Sequence, residues 1–176
     1  MRHWKAALLA VCMLLSLTGC GKDDGEMKEG RIGETMKTHF FDYTVNDAYT
    51  CDSYEGYAPS AGGKILVVDV TVKNTFSKSV EMYDTDFFVL WDSDNEDDVR
   101  VPITTDPETW EELDVLSQDQ LPGTYELGID QERTGLLVYD VPAEVKDFTI
   151  AYLEQFDDDT EGDLHAVFFT PDIASV

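Results

Sequence analysis

Apolar and polar residues alternate with a period of two along most of this chain, the spacing of a half-buried strand rather than a helix. Phe41, Tyr43 and Val45 alternate with Asp42 and Thr44. In residues 64–74, Leu66, Val68, Val70 and Val72 share one face, and Asp69, Thr71 and Lys73 share the other. β-Branched content, a closing Asn74 and the turn-forming Gly62-Gly63 pair predict a strand there. Residues 86–91 are apolar after Asp86, which predicts a central strand covered on both faces. Residues 99–105 predict a short edge strand, because Pro102 has no N–H to give a ladder. Further strands follow at 135–141, with Leu137, Tyr139 and Val141 inward, at 146–153, with Phe148, Ile150 and Tyr152 on one face, and at 166–170. Pro142 and Pro171 close the first and last of these, and the acidic stretch 157–163 with Gly162 is expected to be a hairpin turn. Residues 106–123 break the pattern. Asp106 as an N-cap, Pro107 in the first turn and Trp110 three residues before Leu113 fit one or two helical turns. An acidic loop fits the same residues. Seven or eight short strands without a long amphipathic helix predict an all-β fold, a β-sandwich.

The beginning of the chain follows a different rule. Arg2 and Lys5 precede an apolar run from Ala6 to Leu17, broken only by Ser16 and followed by Thr18-Gly19-Cys20. Basic start, short apolar stretch and small residues before a cysteine form a secretory signal. The run is too short for the roughly 20 residues of a membrane span. Leu17-Thr18-Gly19-Cys20 resembles the lipobox of bacterial lipoproteins. That resemblance implies a diacylglyceryl group on the Cys20 thiol, cleavage before Cys20, and anchoring to the outer side of the bacterial cell membrane. Residues 1–19 are then signal peptide, 20–33 the lipidated cysteine and a flexible tether, and 34–176 the domain. A polar tether of about 13 residues reaches roughly 20 Å.

Charge narrows the partners. The chain carries 37 acids against 12 Lys and Arg, a formal charge of −25, which becomes −27 once Arg2 and Lys5 leave with the signal. Nucleic acid is excluded as a partner, since phosphate binding needs basic side chains to displace counterions. Anionic lipid repels the domain, so the membrane is a partner only through the anchor. With 43% apolar and 11% aromatic residues in alternating runs, the acid content does not signal disorder. Cys12 departs with the signal and Cys20 carries lipid, which leaves Cys51 without a disulfide partner. Its neighbour Asp52 disfavours the thiolate, so Cys51 reads as a quiet residue.

Two segments carry a family resemblance: Gly63-Lys64-Ile65-Leu66-Val67-Val68-Asp69-Val70-Thr71-Val72-Lys73-Asn74 and Thr134-Gly135-Leu136-Leu137-Val138-Tyr139-Asp140-Val141-Pro142. With the opening Ile32-Gly33-Glu34-Thr35, they resemble a domain-of-unknown-function family of secreted and lipid-anchored bacterial Ig-like domains. That family sometimes carries a misleading telomeric-repeat-binding label, and its fold is similar to that of the mycobacterial immunoprotective extracellular antigen. The resemblance covers about Ile32 to Pro171. It implies an Ig-like antiparallel sandwich outside the cell and transfers no catalytic residue. The acidic stretch Asp106–Gln120 departs from the family pattern.

Candidate chemistry is sparse. His39 and His165 remain in the mature chain, at the starts of the first and last predicted strands, and no Gly-x-Ser-x-Gly elbow accompanies them. They read as structural histidines. With 37 acids, carboxylate pairs at glycosidase spacing arise by chance and single out no residues. No catalytic residue is assigned, and the chain is expected not to be an enzyme. Asp157, Asp159, Glu161 and Asp163 repeat acids at alternate positions with Gly162 at the sixth, the first half of an EF-hand loop. The twelfth position is Phe168 rather than a bidentate Glu, so weak calcium binding is the most this turn suggests. Asp92–Asp98 shows the same spacing without the glycine. No other cofactor is expected. Tyr49, Tyr54 and Tyr57 lie in a polar loop and are either ligand contacts or a cover over the end of the sandwich. The resulting expectation is a lipid-anchored, non-enzymatic binding domain for an envelope protein or extracellular ligand, with a calcium-stabilised adhesion domain as the alternative and an enzyme of undefined reaction third.

Overall fold

The structure, a computed structural model, describes residues 25–174 except 94, 96, 97 and 157–159. The signal segment, Cys20, Asp157 and Asp159 lie outside the described residues. The strands are β1 (Met27–Arg31), β2 (Thr35–Lys37), β3 (Phe41–Cys51), β4 (Gly63–Asn74), β5 (Val80–Tyr83), β6 (Phe88–Leu90), β7 (Val99–Arg100), β8 (Thr124–Leu127), β9 (Glu132–Pro142), β10 (Phe148–Gln155), β11 (Glu161–Phe169) and β12 (Asp172–Ile173). One sheet runs β1-β11-β10-β6-β7. The other runs β12-β3-β4-β9, with β2 against β3, and β5 pairs with β8 in a separate ribbon. Every described strand finds its partner within this set.

The sandwich follows from the alternation. β4 sits between β3 and β9, and its even-numbered residues Leu66, Val68, Val70 and Val72 are buried against Ile150, Tyr152 and Val167 of the other sheet. In β3 the inward residues are Phe41, Tyr43 and Val45, then Ala48 and Thr50. A bulge between Val45 and Asp47 changes the parity, because one extra residue turns each later side chain to the opposite face. Two tyrosines tie the layers together. Tyr43 donates its hydroxyl to the His165 carbonyl at 3.0 Å, and Tyr139 donates to the Phe87 carbonyl at 3.1 Å. Buried Asn74 fastens β4 to the ribbon, donating to the carbonyls of Lys78, Leu127 and Gly128 and accepting from the Phe76 N–H.

The expected strands at 41–45, 64–74, 135–141, 146–153 and 166–170 are all present, and most are longer. Several expectations need correction. The tether was placed through Gly33, yet Met27–Arg31 is strand β1 on the edge of a sheet, parallel to β11. Its polar sequence hides it because the backbone carries the pairing. Gly30 is buried beneath Met36, whose sulfur would clash with any Cβ there. β12 also pairs in parallel, with β3, so the sheets are antiparallel except at these two edges. Gly162 lies within β11 rather than in the turn. Asp86 belongs to a 3-10 turn, Asp84–Asp86, and the strand after it is only Phe88–Leu90, next to edge strand β7. At 106–110 a single turn forms. The Asp106 carboxylate accepts from the N–H groups of Glu108 and Thr109, then Trp110, at φ 61°, leaves the helical conformation.

Candidate functional site

The outer face of the second sheet is covered at one end and carries most of the sequence-predicted contact residues. Ile65 and Val67 of β4 and Leu136 and Val138 of β9 point away from the main core, and Tyr54 closes over them. Tyr54 and Tyr57 pair across a two-residue turn, with Glu55 at φ 48° and Gly56 at φ 85°. Positive φ at both central positions is the geometry of a tight hairpin turn. The structure divides the three tyrosines. Tyr54 is 9% exposed and its hydroxyl bonds Ser117 Oγ at 2.7 Å, which fits the cover, rather than the ligand contact, of its two expected roles. Tyr49 is half-buried against the same cluster, and burial, followed by nearby Cys51, Tyr54, Glu55 and Asp47, raises its hydroxyl pKa. Tyr57 is exposed. Cys51 packs beside them, and burial, together with Asp52, raises its thiol pKa even though the Ser53 N–H lowers it.

The acidic stretch Asp106–Gln120 completes this face, which sequence reasoning set aside as a departure. Leu113 donates its N–H to the Thr104 carbonyl at 2.7 Å, Thr105 bridges Glu112, and Ile103 donates to the Val138 carbonyl. At the far end, buried Gln120 accepts from the N–H groups of Leu116 and Ser117 through one amide oxygen. The segment is thus held between Thr104 and Tyr54. Leu113, Val115 and Leu116 nevertheless stand 46%, 40% and 39% exposed. Two leucines and a valine among so many acids could have been noticed, but only the fold reveals that they do not pack inward.

The calcium residues do not assemble among the described positions. Asp163 Oδ1 accepts from the Glu26 N–H at 2.8 Å, and its Oδ2 lies 3.5 Å from Lys28 Nζ. The Glu26 N–H, then Lys28, lowers its carboxyl pKa, whereas burial raises that of Glu161. Asp163 therefore anchors β1, and its donors do not fit a cation. No group of three or more His, Cys, Asp or Glu among the described residues could hold a metal. In the 92–98 stretch, Asp98 accepts from Ser93 Oγ and Asn95 Nδ2 instead.

Two buried polar nodes escaped the sequence. Glu154 Oε1 lies 3.0 Å from His165 Nε2 and also accepts the backbone N–H of His39, so the His165 ring and the His39 main chain share one carboxylate oxygen. His165 is buried, and the His39 ring packs against Phe40, Phe76 and Phe156. Cys51 lies in the opposite sheet, so no nucleophile–histidine pair forms from it. The second node is Asp84, 1% exposed, which accepts from the hydroxyls of Thr104 and Thr105. Burial pushes its carboxyl up to about 6, against hydrogen bonds from Thr104, Thr105 and the Thr85 N–H that pull it down.

The family described as a domain of unknown function (DUF4352) matches residues 30–161, from β1 to the start of β11. The chain belongs to the DUF4352 family. Among curated proteins there is no significant match. A protein of Bacillus subtilis described as a candidate lipoprotein (ycdA) aligns with a TM-score of 0.56 at 18% identity, over 77% of this chain but only 38% of its own length. The yjhA protein of Bacillus subtilis aligns with a TM-score of 0.51 at 18% identity, covering 78% of this chain and 98% of that one. At such identity the likeness shows the fold alone, a β-sandwich, in agreement with the family membership. The DUF4352 frame also sets direction. The described chain begins beside Gly162, where the Glu26 carbonyl accepts from the Leu164 N–H. The Tyr54–Tyr57 turn follows the last residue of β3, at the opposite end of the sandwich, where Cys51 pairs with Ile65 and Gly63 with Pro142.

Proposed function

We propose that this DUF4352 chain is a cell-envelope lipoprotein that displays a non-enzymatic interaction domain on the outer side of the membrane. The observation that carries the reading is the position of β1. Its first residue follows the Cys20 lipobox after only six residues, Gly21 to Glu26. At roughly 5–6 Å times the square root of length, that linker reaches about 13 Å. A lipid on Cys20 holds the end containing Gly162 close to the bilayer and turns the Tyr54–Tyr57 end outward. The lipobox and the lipoprotein description of the ycdA relative support the anchor. The exposed Tyr57, Leu113, Val115 and Leu116 support binding as the role.

The test is mass spectrometry of the membrane-extracted protein together with protease treatment of intact cells. The expected result is an N-terminal peptide beginning at diacylglyceryl-modified Cys20 and cleavage of the domain by external protease. A Cys20→Ala chain should accumulate with its signal uncut. An unmodified N-terminus, or a domain protected until cells are lysed, would overturn the proposal.

A further inference from the structure

Leu113, Val115, Leu116 and Tyr57 are exposed, and Tyr54, which pairs with Tyr57, bonds Ser117 directly after Leu116, bringing the tyrosine turn to the acidic segment. Scattered exposed apolar residues are ordinary, but three within four consecutive positions, held by the Leu113–Thr104 and Leu116–Gln120 hydrogen bonds, form a patch. The rim is acidic. Residues 106–120 contain six acids, Asp106, Glu108, Glu111, Glu112, Asp114 and Asp119, and no Lys or Arg. Glu55 adds a further acid at the tip of the tyrosine turn. An apolar centre inside a polar rim is the anatomy of a protein-binding surface.

The charge decides what fits. A second copy of the mature chain brings −27 of its own, and its patch would meet another acidic rim. An anionic lipid surface is repelled for the same reason. A polypeptide segment with alternating or clustered Lys and Arg is drawn to the rim, and large apolar side chains between those charges fill the centre. We infer that the Tyr57–Leu113–Leu116 face docks a basic polypeptide segment carrying large apolar side chains. The inference rests on the reading of the chain as an interaction domain and specifies its partner. The face belongs to the sheet opposite the one that β1 edges, so a molecule anchored through the residues before β1 keeps it accessible.

The experiment uses the chain from Gly21 onward, the mature chain without its lipidated Cys20, whose described strands pair with one another. A fluorescent peptide of alternating Lys and Leu is titrated with this chain at low salt. Peptides of alternating Lys and Ser, and of alternating Glu and Leu, serve as comparators. The Lys–Leu peptide is expected to bind, and Leu113→Ser with Leu116→Ser to weaken it about tenfold, the scale of losing a buried anchor. Ile129→Ser, a change at an exposed apolar residue of the β8–β9 turn, should leave binding unchanged. These residues are exposed, so the variants keep the fold, and matching melts verify it. Equal binding of the Lys–Ser peptide, or equal binding by the Leu113→Ser/Leu116→Ser chain, would overturn the proposal by reducing it to bulk charge. No binding of the Lys–Leu peptide would overturn it too. Self-association at high salt that the double variant abolishes would assign the face to a second copy instead, and adsorption to phosphatidylglycerol vesicles would assign it to lipid. None of these outcomes depends on whether Cys20 is lipidated, so a failure here is separable from a failure of the anchor.

Discussion

Asp84 is the residue whose environment has the clearest consequence in solution. Its carboxyl is buried, and burial, helped by Glu112, raises it to about 6 against the hydrogen bonds from the Thr104 and Thr105 hydroxyls and the Thr85 N–H. A folded pKa above the unfolded value means that the folded chain holds this proton more tightly. Its stabilising contribution is therefore complete below about 3.8 and is lost as pH rises through about 6. A shift of about two units corresponds to roughly 3 kcal/mol as an upper scale. Melting temperatures of wild type and Asp84→Asn measured from pH 4 to pH 8 should diverge, with the wild type losing stability across that window more steeply than the variant. Parallel curves would show that Asp84 titrates as it does in the unfolded chain. Nothing in Tyr83-Asp84-Thr85-Asp86 distinguishes this acid from the 36 others by sequence, because its hydroxyl donors lie 20 and 21 residues away. Tyr54 and Tyr57 teach the same lesson. Three residues apart and alike in composition, one is covered and the other is exposed, because the turn between them sends only Tyr54 onto Val138.

Strands with a buried face were legible, and the edge strand expected at 99–105 is present as the two residues of β7, but most short or polar strands were not legible. β4 reads from its alternation because half its side chains must leave water, and Val68 and Val70 are fully buried between β3 and β9. Either one changed to Asp places an unpaired charge in the core. The cost should be several kcal/mol, most of the 5–15 kcal/mol of an ordinary domain. Val68→Asp and Val70→Asp chains are expected to melt far below wild type or to fail to fold, as followed by circular dichroism, whereas the half-buried outer-face change Thr71→Asp should be tolerated. Unchanged melting of both valine variants would place these residues off the core. β1, β5, β8 and β12 escaped because short or polar strands are defined by their partners. β5 and β8 are four residues each and are separated by the whole acidic segment. The outer-face burial of Ile65 and Val67 was equally hidden, since the cover comes from Tyr54 and the strap at Ile103. The apolar patch on the acidic segment depends on that strap, so the candidate site could not be assembled before the fold.

At the scale of the whole molecule, charge outweighs any single pair. A chain of −25 repels itself in the folded state more than when extended, so ions that screen it should raise its stability. Asp163, one of the four acids expected to bind calcium, is already engaged by Glu26 and Lys28 in holding β1. General screening is therefore expected to dominate over coordination. Calcium and magnesium at about 10 mM should raise the melting temperature by equal amounts, and sodium chloride at matched ionic strength should reproduce most of the effect. For comparison, a site with a dissociation constant of about 1 mM would add roughly 1.4 kcal/mol in calcium alone, a shift of a few degrees. Differential scanning calorimetry in the three salts separates the cases. A calcium-specific rise that disappears in Asp157→Asn/Asp159→Asn would establish a cation site at the β10–β11 turn and would restore the calcium-stabilised alternative. Equal rises would leave the acids as a solvated, repulsive shell, whose work is to keep copies of this domain apart and to draw basic chains toward the exposed leucines.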